Sequence, residues 1–341
     1  MRIDQDAGIS VPPDQVASSA VEADALGYDA LWTPEAAHNP FIGLTLAAAQ
    51  TERIELGTAI AVAFARNPMT TAMMANDLQL VSQGRFNLGL GSQIQAHITK
   101  RFSMPWSHPA ARMREFVLAI RAIWDSWATG EKLDFRGDFY SHTLMTPFFS
   151  PGPNPYGNPK IYLAGVGELM TEVAGEVADG FICHGFTTQR YVREVTLPAL
   201  RRGRAKIGKT LDGFEISGPF FMVTGTNEEE IREAVAGTKK QLAFYGSTPA
   251  YTKVLELHGW GELQGHLNRM SKQGRWAEMA DAIDDEMLDA FAVVGEPEPA
   301  ARELLQRYGD VATRLSFYAP YESDSTRFAR VVSELRRTVA G

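Results

Sequence analysis

Apolar residues recur along this chain in two alternating rhythms. Short runs with a strand's period or composition lie at 2–6, 28–33, 53–64, 84–91, 161–164, 181–184, 214–224 and 313–318. Helical spacing fills the intervals. Val16, Ala20, Ala23 and Leu26 form one stripe, which Gly27 closes as the residue just past the helix. A leucine- and alanine-rich helix is predicted over 41–50, and Asn67-Pro68 opens the next, with Pro68 in a tolerated first-turn position. Met113, Phe116, Val117, Ile120, Trp124 and Trp127 mark the buried face of a long helix over 110–129. Leu169, Met170, Val173, Ala174 and Val177 follow the fifth strand at the same spacing. Further helices are predicted over 189–206, over 227–242 (Asn227 as cap, Glu230 three residues on), over 297–308 and over 323–340.

Strand and helix thus alternate eight times, which argues for parallel strands joined by helical crossovers. A doubly wound sheet usually has fewer strands and splits into lobes. Eight unbroken units predict an α/β fold of the (β/α)8 TIM barrel type, one domain over 1–341. Two stretches interrupt the alternation and are predicted as long insertions. One, 130–158, is irregular and carries Pro147, Pro151, Pro153 and Pro155; the other, 244–289, is helix-rich. Chemistry in such a barrel gathers at the C-terminal strand ends. The positions to weigh are therefore Glu35 and His38, Ala59 to Arg66, Gly91 to His97, Gly165 to Glu168, and Cys183-His184.

Composition narrows the partners. The formal net charge is −8 and no long basic run is present, which argues against nucleic acid. Arg201, Arg202, Arg204, Lys206 and Lys209 form one dense basic patch, which reads as favourable charge at a helix C-terminus. The single cysteine, Cys183, excludes an intrachain disulfide framework and fits a reducing compartment. Met1-Arg2-Ile3 runs straight into a strand without a secretory signal, and no apolar run spans a bilayer. These features predict a cytoplasmic protein that does not enter membranes. Glu278, Asp281, Asp284, Asp285, Glu286 and Asp289 crowd one stretch, but without interleaved His or Cys they read as a solvated face. No metal site is expected.

The strand ends offer several chemistries. Gly165-Val166-Gly167 separates the fifth strand from its helix. A helix start presents unpaired N–H groups and the positive end of its dipole, so this turn suits a phosphate; an ordinary strand-to-helix turn has the same appearance. Glu35 and His38 form a carboxylate and imidazole set suited to proton transfer, and a loop histidine is equally at home in solvent. The third strand, T-A-I-A-V-A-F-A, is apolar and small, which lets something flat lie against its backbone; burial on both faces would produce the same composition. Gly89-Leu90-Gly91-Ser92 lacks the third glycine and the following acid of a dinucleotide fingerprint. Cys183 and His184 are neighbours on a strand and point to opposite faces, so they cannot pair, and Cys183 reads as a buried structural residue. Met69, Met73 and Met74 read as core or subunit contact.

Assembled in this order, G-Y-D-A-L-W-T-P-E, R-I-E-L-G-T-A-I-A-V-A-F-A-R-N-P, G-R-F-N-L-G-L-G-S, R-F-S-M-P-W and Y-L-A-G-V-G…A-D-G resemble the luciferase-like monooxygenase family of barrels, in its actinobacterial branch of oxidoreductases using the deazaflavin coenzyme F420. The resemblance covers nearly the whole chain. It implies a non-prolyl cis peptide at Ala59–Ile60, forming a bulge that backs the deazaflavin ring. It further implies Gly91 and Ser92 at the ring edge, and Gly165, Val166, Gly167 and Glu168 at the cofactor phosphate. Many members carry an acid and a histidine in adjacent positions after the second strand. Here Ala36 follows Glu35 and the histidine is His38, so Glu35 is the better-supported catalytic residue of the two. The implied reaction is hydride transfer between the deazaflavin C5 and a small organic substrate. The alternatives are an FMN-dependent monooxygenase on the same fold, and a barrel that binds the deazaflavin without turnover. A homodimer through the second and third helices is implied as well. The pocket is expected to be roofed by both insertions, with Trp106, Phe148, Phe149, Tyr245 and Trp260 as candidate lining.

Overall fold

The computed structural model describes residues 1–322 and 325–340. The strands among them are β1 (Arg2–Asp6), β2 (Ala30–Thr33), β3 (Glu55–Thr58), β4 (Ala61–Val62), β5 (Phe86–Gly91), β6 (Phe135–Arg136), β7 (Ser141–His142), β8 (Lys160–Gly165), β9 (Gly180–Cys183), β10 (Glu215–Thr224), β11 (Ala292–Gly295) and β12 (Arg314–Tyr318). In the order β1, β2, β3, β5, β8, β9, β10, β12 neighbouring strands pair in parallel, and β12 returns to β1. The expected (β/α)8 TIM barrel is therefore the fold.

Alternation along the strands sorts the side chains. Ala30 and Trp32 join Tyr162 and Ile182 in a small interior cluster, while Leu31 between them packs outward with Leu56, Leu88 and Leu163 against the helices. The floor of the barrel, at the strands' N-terminal ends, is polar. Arg314 is fully buried and donates to Asp4 at 2.6 and 3.0 Å, to Glu55 at 2.9 Å and to Glu215 at 3.1 Å. Trp32 Nε1 donates to Asp4 at 2.9 Å, and Tyr162 donates to Glu215 at 2.5 Å. Burial works against the Arg314 cation, but the pull of Asp4 and Glu55 exceeds it and its proton affinity is raised. The interior is thus closed from below, and ligand access is left to the opposite end.

Several elements differ from the sequence expectation. The third strand is broken: β3 and β4 flank residues 59–60, and a 3-10 turn, Ala63–Ala65, follows. The helix expected over 189–206 contains a π-helical turn, Val192–Thr196, just ahead of Leu197-Pro198. Pro198 has no N–H to return to the preceding turn, which is a known cause of such local widening. β11 is an additional strand, paired with the C-terminal half of β10. Its four residues are too short to stand out beside the helices around it. The last helix spans Ser325–Ala340, and its expected start at Ser323 lies outside the described residues.

The two insertions have different places. The first is bound to outer helices: Asp138 and Phe139 donate backbone N–H groups to Glu115, and Asn154 donates to the Asn76 carbonyl. Phe148 and Phe149 meet edge to face there, 88% and 67% exposed, so they line no pocket. The expectation that this segment roofs the site is corrected accordingly. The second insertion builds its own apolar cluster, with Leu255 and Leu267 packed together with Phe186, Phe221 and Phe291. Met69 and Met74 pack against the main core, whereas Met73 is exposed. No helix among the described residues is long and apolar enough to cross a membrane.

Candidate active site

The break in the third strand is a bulge with a countable cause. Gly57 faces Asn87, yet Ala61 faces Leu90, so three residues of this strand span the place of two in β5. The Ala59–Ile60 peptide within it is cis. Thr58 repairs the interrupted ladder with its side chain. Its hydroxyl donates to the Gly89 carbonyl at 2.7 Å and accepts the Gly89 N–H at 2.9 Å. A Cβ at residue 89 would lie 1.8 Å from the Thr58 backbone carbonyl oxygen, so only glycine permits the two strands to come this close. Ala59 donates its N–H to Thr33 at 2.8 Å, and Glu35 donates its own to Ile60 at 3.1 Å, fastening the bulge to the end of β2.

The Glu35 side chain completes this fastening. One carboxylate oxygen accepts the Val62 N–H at 2.7 Å and Arg66 at 2.6 Å; the other accepts Arg66 at 2.9 Å. Both partners are nearly buried, at 8% and 12% side-chain exposure. His38 is not brought to this carboxylate. It is exposed and lines a small cavity with Ala7, Gly8, Thr33 and Pro34. Gly91 closes the bulge on the β5 side, where a Cβ would stand 2.8 Å from Ile60 Cγ1. Ser92 follows, half-buried, its hydroxyl donating to the Gln93 carbonyl at 3.1 Å.

Next to β5 around the barrel, β8 ends at Gly165 and a helix runs over Glu168–Val177. Gly167 is its N-cap in an ordinary extended conformation, φ −78°, ψ 149°. A Cβ at Gly167 would meet nothing within 4 Å. Neither backbone nor neighbours require glycine there, so the missing side chain leaves an open path to the helix's first N–H groups. Tyr191 donates its hydroxyl to the Val166 carbonyl at 3.0 Å and steadies the turn. Glu168 pairs with Arg202 at 2.9 Å, so a member of the basic patch reaches this turn.

Other groups converge from the ends of β1, β9 and β12; of these the sequence pattern had singled out only Cys183-His184. Asp6 closes β1 and accepts the Ser316 hydroxyl at 3.0 Å. Burial, with Asp4 nearby, pushes its pKa up to about 7 despite that hydrogen bond. His184 follows β9, and burial lowers its pKa to about 4, so it is neutral. Its ring packs on Tyr245 and Tyr251, and Tyr245 shares a 2.9 Å hydroxyl contact with Tyr318 at the end of β12. Cys183 faces the other way, into the main core, and burial pushes its thiol up to about 12. An acid ending the first strand was a visible signal for Asp6. Tyr251 had none, lying in the helix-rich second insertion outside the strand–helix alternation. Among the described residues no group of three or more His, Cys, Asp and Glu is placed to hold a metal ion.

Comparison with known proteins agrees with this architecture. An uncharacterized protein of Mycobacterium tuberculosis is 55% identical over 306 residues, covering 89% of this chain and 90% of that one. The 5,10-methylenetetrahydromethanopterin reductase of Archaeoglobus fulgidus is 26% identical over 321 residues, covering 92% and 91%. The solved coenzyme F420-dependent tetrahydromethanopterin reductase of Methanopyrus kandleri superposes with a TM-score of 0.82 at 19% identity, covering 99% of both chains. The family model for luciferase-like monooxygenases matches residues 1–314, and the chain belongs to that family.

Proposed function

We propose that the chain is an F420-dependent oxidoreductase acting on a small organic substrate at the barrel mouth. The observation that carries this is Gly167, a glycine that the fold does not need, at a helix start facing the same mouth as the Ala59–Ile60 bulge. These residues fit the group. Ala59 and Ile60 would back the ring, with Gly91 and Ser92 along its edge. Gly165, Val166, Gly167 and Glu168 would hold the phosphate tail through backbone N–H groups, with Arg202 offsetting the Glu168 charge. When bound, F420 supplies a carbon centre that gives or takes hydride. The protein's part is to hold that centre dry and to manage a proton.

Glu35 is assigned to positioning, since both its oxygens already face a guanidinium and a carboxylate so engaged is a poor proton donor. Asp6 is better suited to hold the proton, because burial raises its pKa to about 7. His38 sits on the rim, within reach of solvent, as a second proton carrier. Asp6 also has a consequence for stability. Its folded pKa is raised from the ordinary 3.8 to about 7, so the folded state holds the proton more tightly. Its contribution is whole below pH 3.8 and lost as pH rises through about 7. Asp6→Asn is expected to flatten that decline in melting temperature between acid and neutral pH. Parallel curves for the two proteins would remove Asp6 as the group that titrates.

The cofactor assignment is tested by fluorescence titration of the purified chain with F420 and with FMN. Saturable F420 binding with none for FMN is expected. FMN binding alone would transfer the chain to the flavin monooxygenases, and no binding of either would discard the proposal.

A further inference from the structure

The histidine after β9 has a fixed tautomer, and that fixes a proton on its neighbour. His184 Nδ1 lies 2.9 Å from the Phe186 backbone nitrogen, which can only donate. Nδ1 is therefore an acceptor and carries no hydrogen. The neutral ring must hold its proton on Nε2, which lies 3.1 Å from the Tyr251 hydroxyl oxygen. That contact consumes a lone pair of Tyr251 and leaves its own O–H free to donate elsewhere. No other partner of this hydroxyl occurs among the described residues. Burial keeps His184 neutral and holds Tyr251 as a phenol.

The surroundings define what such a donor would meet. Tyr251 packs against Phe186 and Tyr245, with ring centres 5.8 and 6.0 Å apart, and His184 lies 4.5 Å from it. Tyr245 and Tyr318 share one hydrogen bond between their hydroxyls, and Asp6 acts on Tyr318 from the β1 side. The walls are therefore aromatic, and no cation belongs to the group. We propose that Tyr251 is the hydrogen-bond donor that orients the substrate oxygen, and that the substrate is an uncharged carbonyl compound with a flat, conjugated body. This rests on the mouth being the place of hydride transfer. A phosphorylated sugar finds no counter-charge in the aromatic group, whereas a carbonyl oxygen finds a directed donor in Tyr251.

The test uses the full chain and p-dimethylaminocinnamaldehyde, a neutral conjugated aldehyde whose absorption moves to the red when its oxygen accepts a hydrogen bond. Saturable binding with a red shift is expected for the wild-type protein. Tyr251→Phe keeps the ring and is expected to bind the aldehyde within about tenfold, as the loss of one hydrogen bond allows, but without the shift. Tyr245→Phe, which removes a neighbouring hydroxyl, is expected to retain it. Absence of binding to the wild-type chain, a full shift in Tyr251→Phe, or an equal loss in Tyr245→Phe would each overturn the assignment. F420 binding is followed separately by fluorescence anisotropy, so its failure speaks against the cofactor proposal and leaves the aldehyde result to stand alone.

Discussion

Replacement of Arg314 by methionine is expected to lower folding stability by about 3–5 kcal/mol. The guanidinium has no exposed surface and answers three carboxylates, of which Asp4 is itself fully buried. Without the cation Asp4 keeps only the Trp32 N–H as its partner from this network. Glu55 and Glu215 are less affected, because Arg2 and Lys160, at the N-terminal ends of β1 and β8, also reach them. The cost is the charge left behind, not the bond removed. Asp4→Leu combined with Arg314→Met is therefore expected to recover most of the loss. Surface pairs behave differently: Arg190 and Glu194 are about half exposed, and breaking them should change stability by roughly 0–1 kcal/mol. Urea denaturation of the two single variants and the double variant decides the matter. An Arg314→Met protein as stable as the wild type would mean that the polar floor does not hold the barrel together.

The second large effect is expected at Glu35. Removing its side chain in Glu35→Ala strands Arg66 and leaves the Val62 N–H without its acceptor, beside a bulge that this carboxylate fastens. Stability should fall by about 2–4 kcal/mol, the range for breaking a nearly buried pair plus one hydrogen bond. F420 affinity should fall with it, by at least about tenfold, since the ring's support loosens. Glu35→Gln should lie between, because its amide oxygen still accepts from Val62. A proton-donor role makes the opposite demand. Both variants would then keep wild-type stability and F420 affinity. Thermal melts together with F420 titrations of the two variants separate these outcomes.

Much of this was legible in the chain. The alternation of short apolar runs with helical stripes specified the barrel, and Gly165-Val166-Gly167 marked the turn at its mouth. The cis peptide at Ala59–Ile60 came from resemblance and is present. What stayed hidden had physical reasons. A continuous run of small apolar residues shows no phase change where β3 gains its extra residue, since inward and outward positions look alike there. The partner that settles the role of Glu35 lies thirty-one positions away, and no local pattern reports such a pairing. Asp6 was visible as an acid at a strand end, but the burial that raises its pKa was not. The mouth's aromatic donor comes from an insertion whose order depends on tertiary packing rather than on periodicity.

The central claim is that a bulged third strand and an open helix start jointly cradle one deazaflavin. A crystal structure of the chain soaked with F420 tests it most directly. The expected result is the tricyclic ring against Ala59, Ile60 and Gly91, with its phosphate on the N–H groups that follow Gly167. A ring bound elsewhere, or a phosphate away from the Gly165–Glu168 turn, would contradict it.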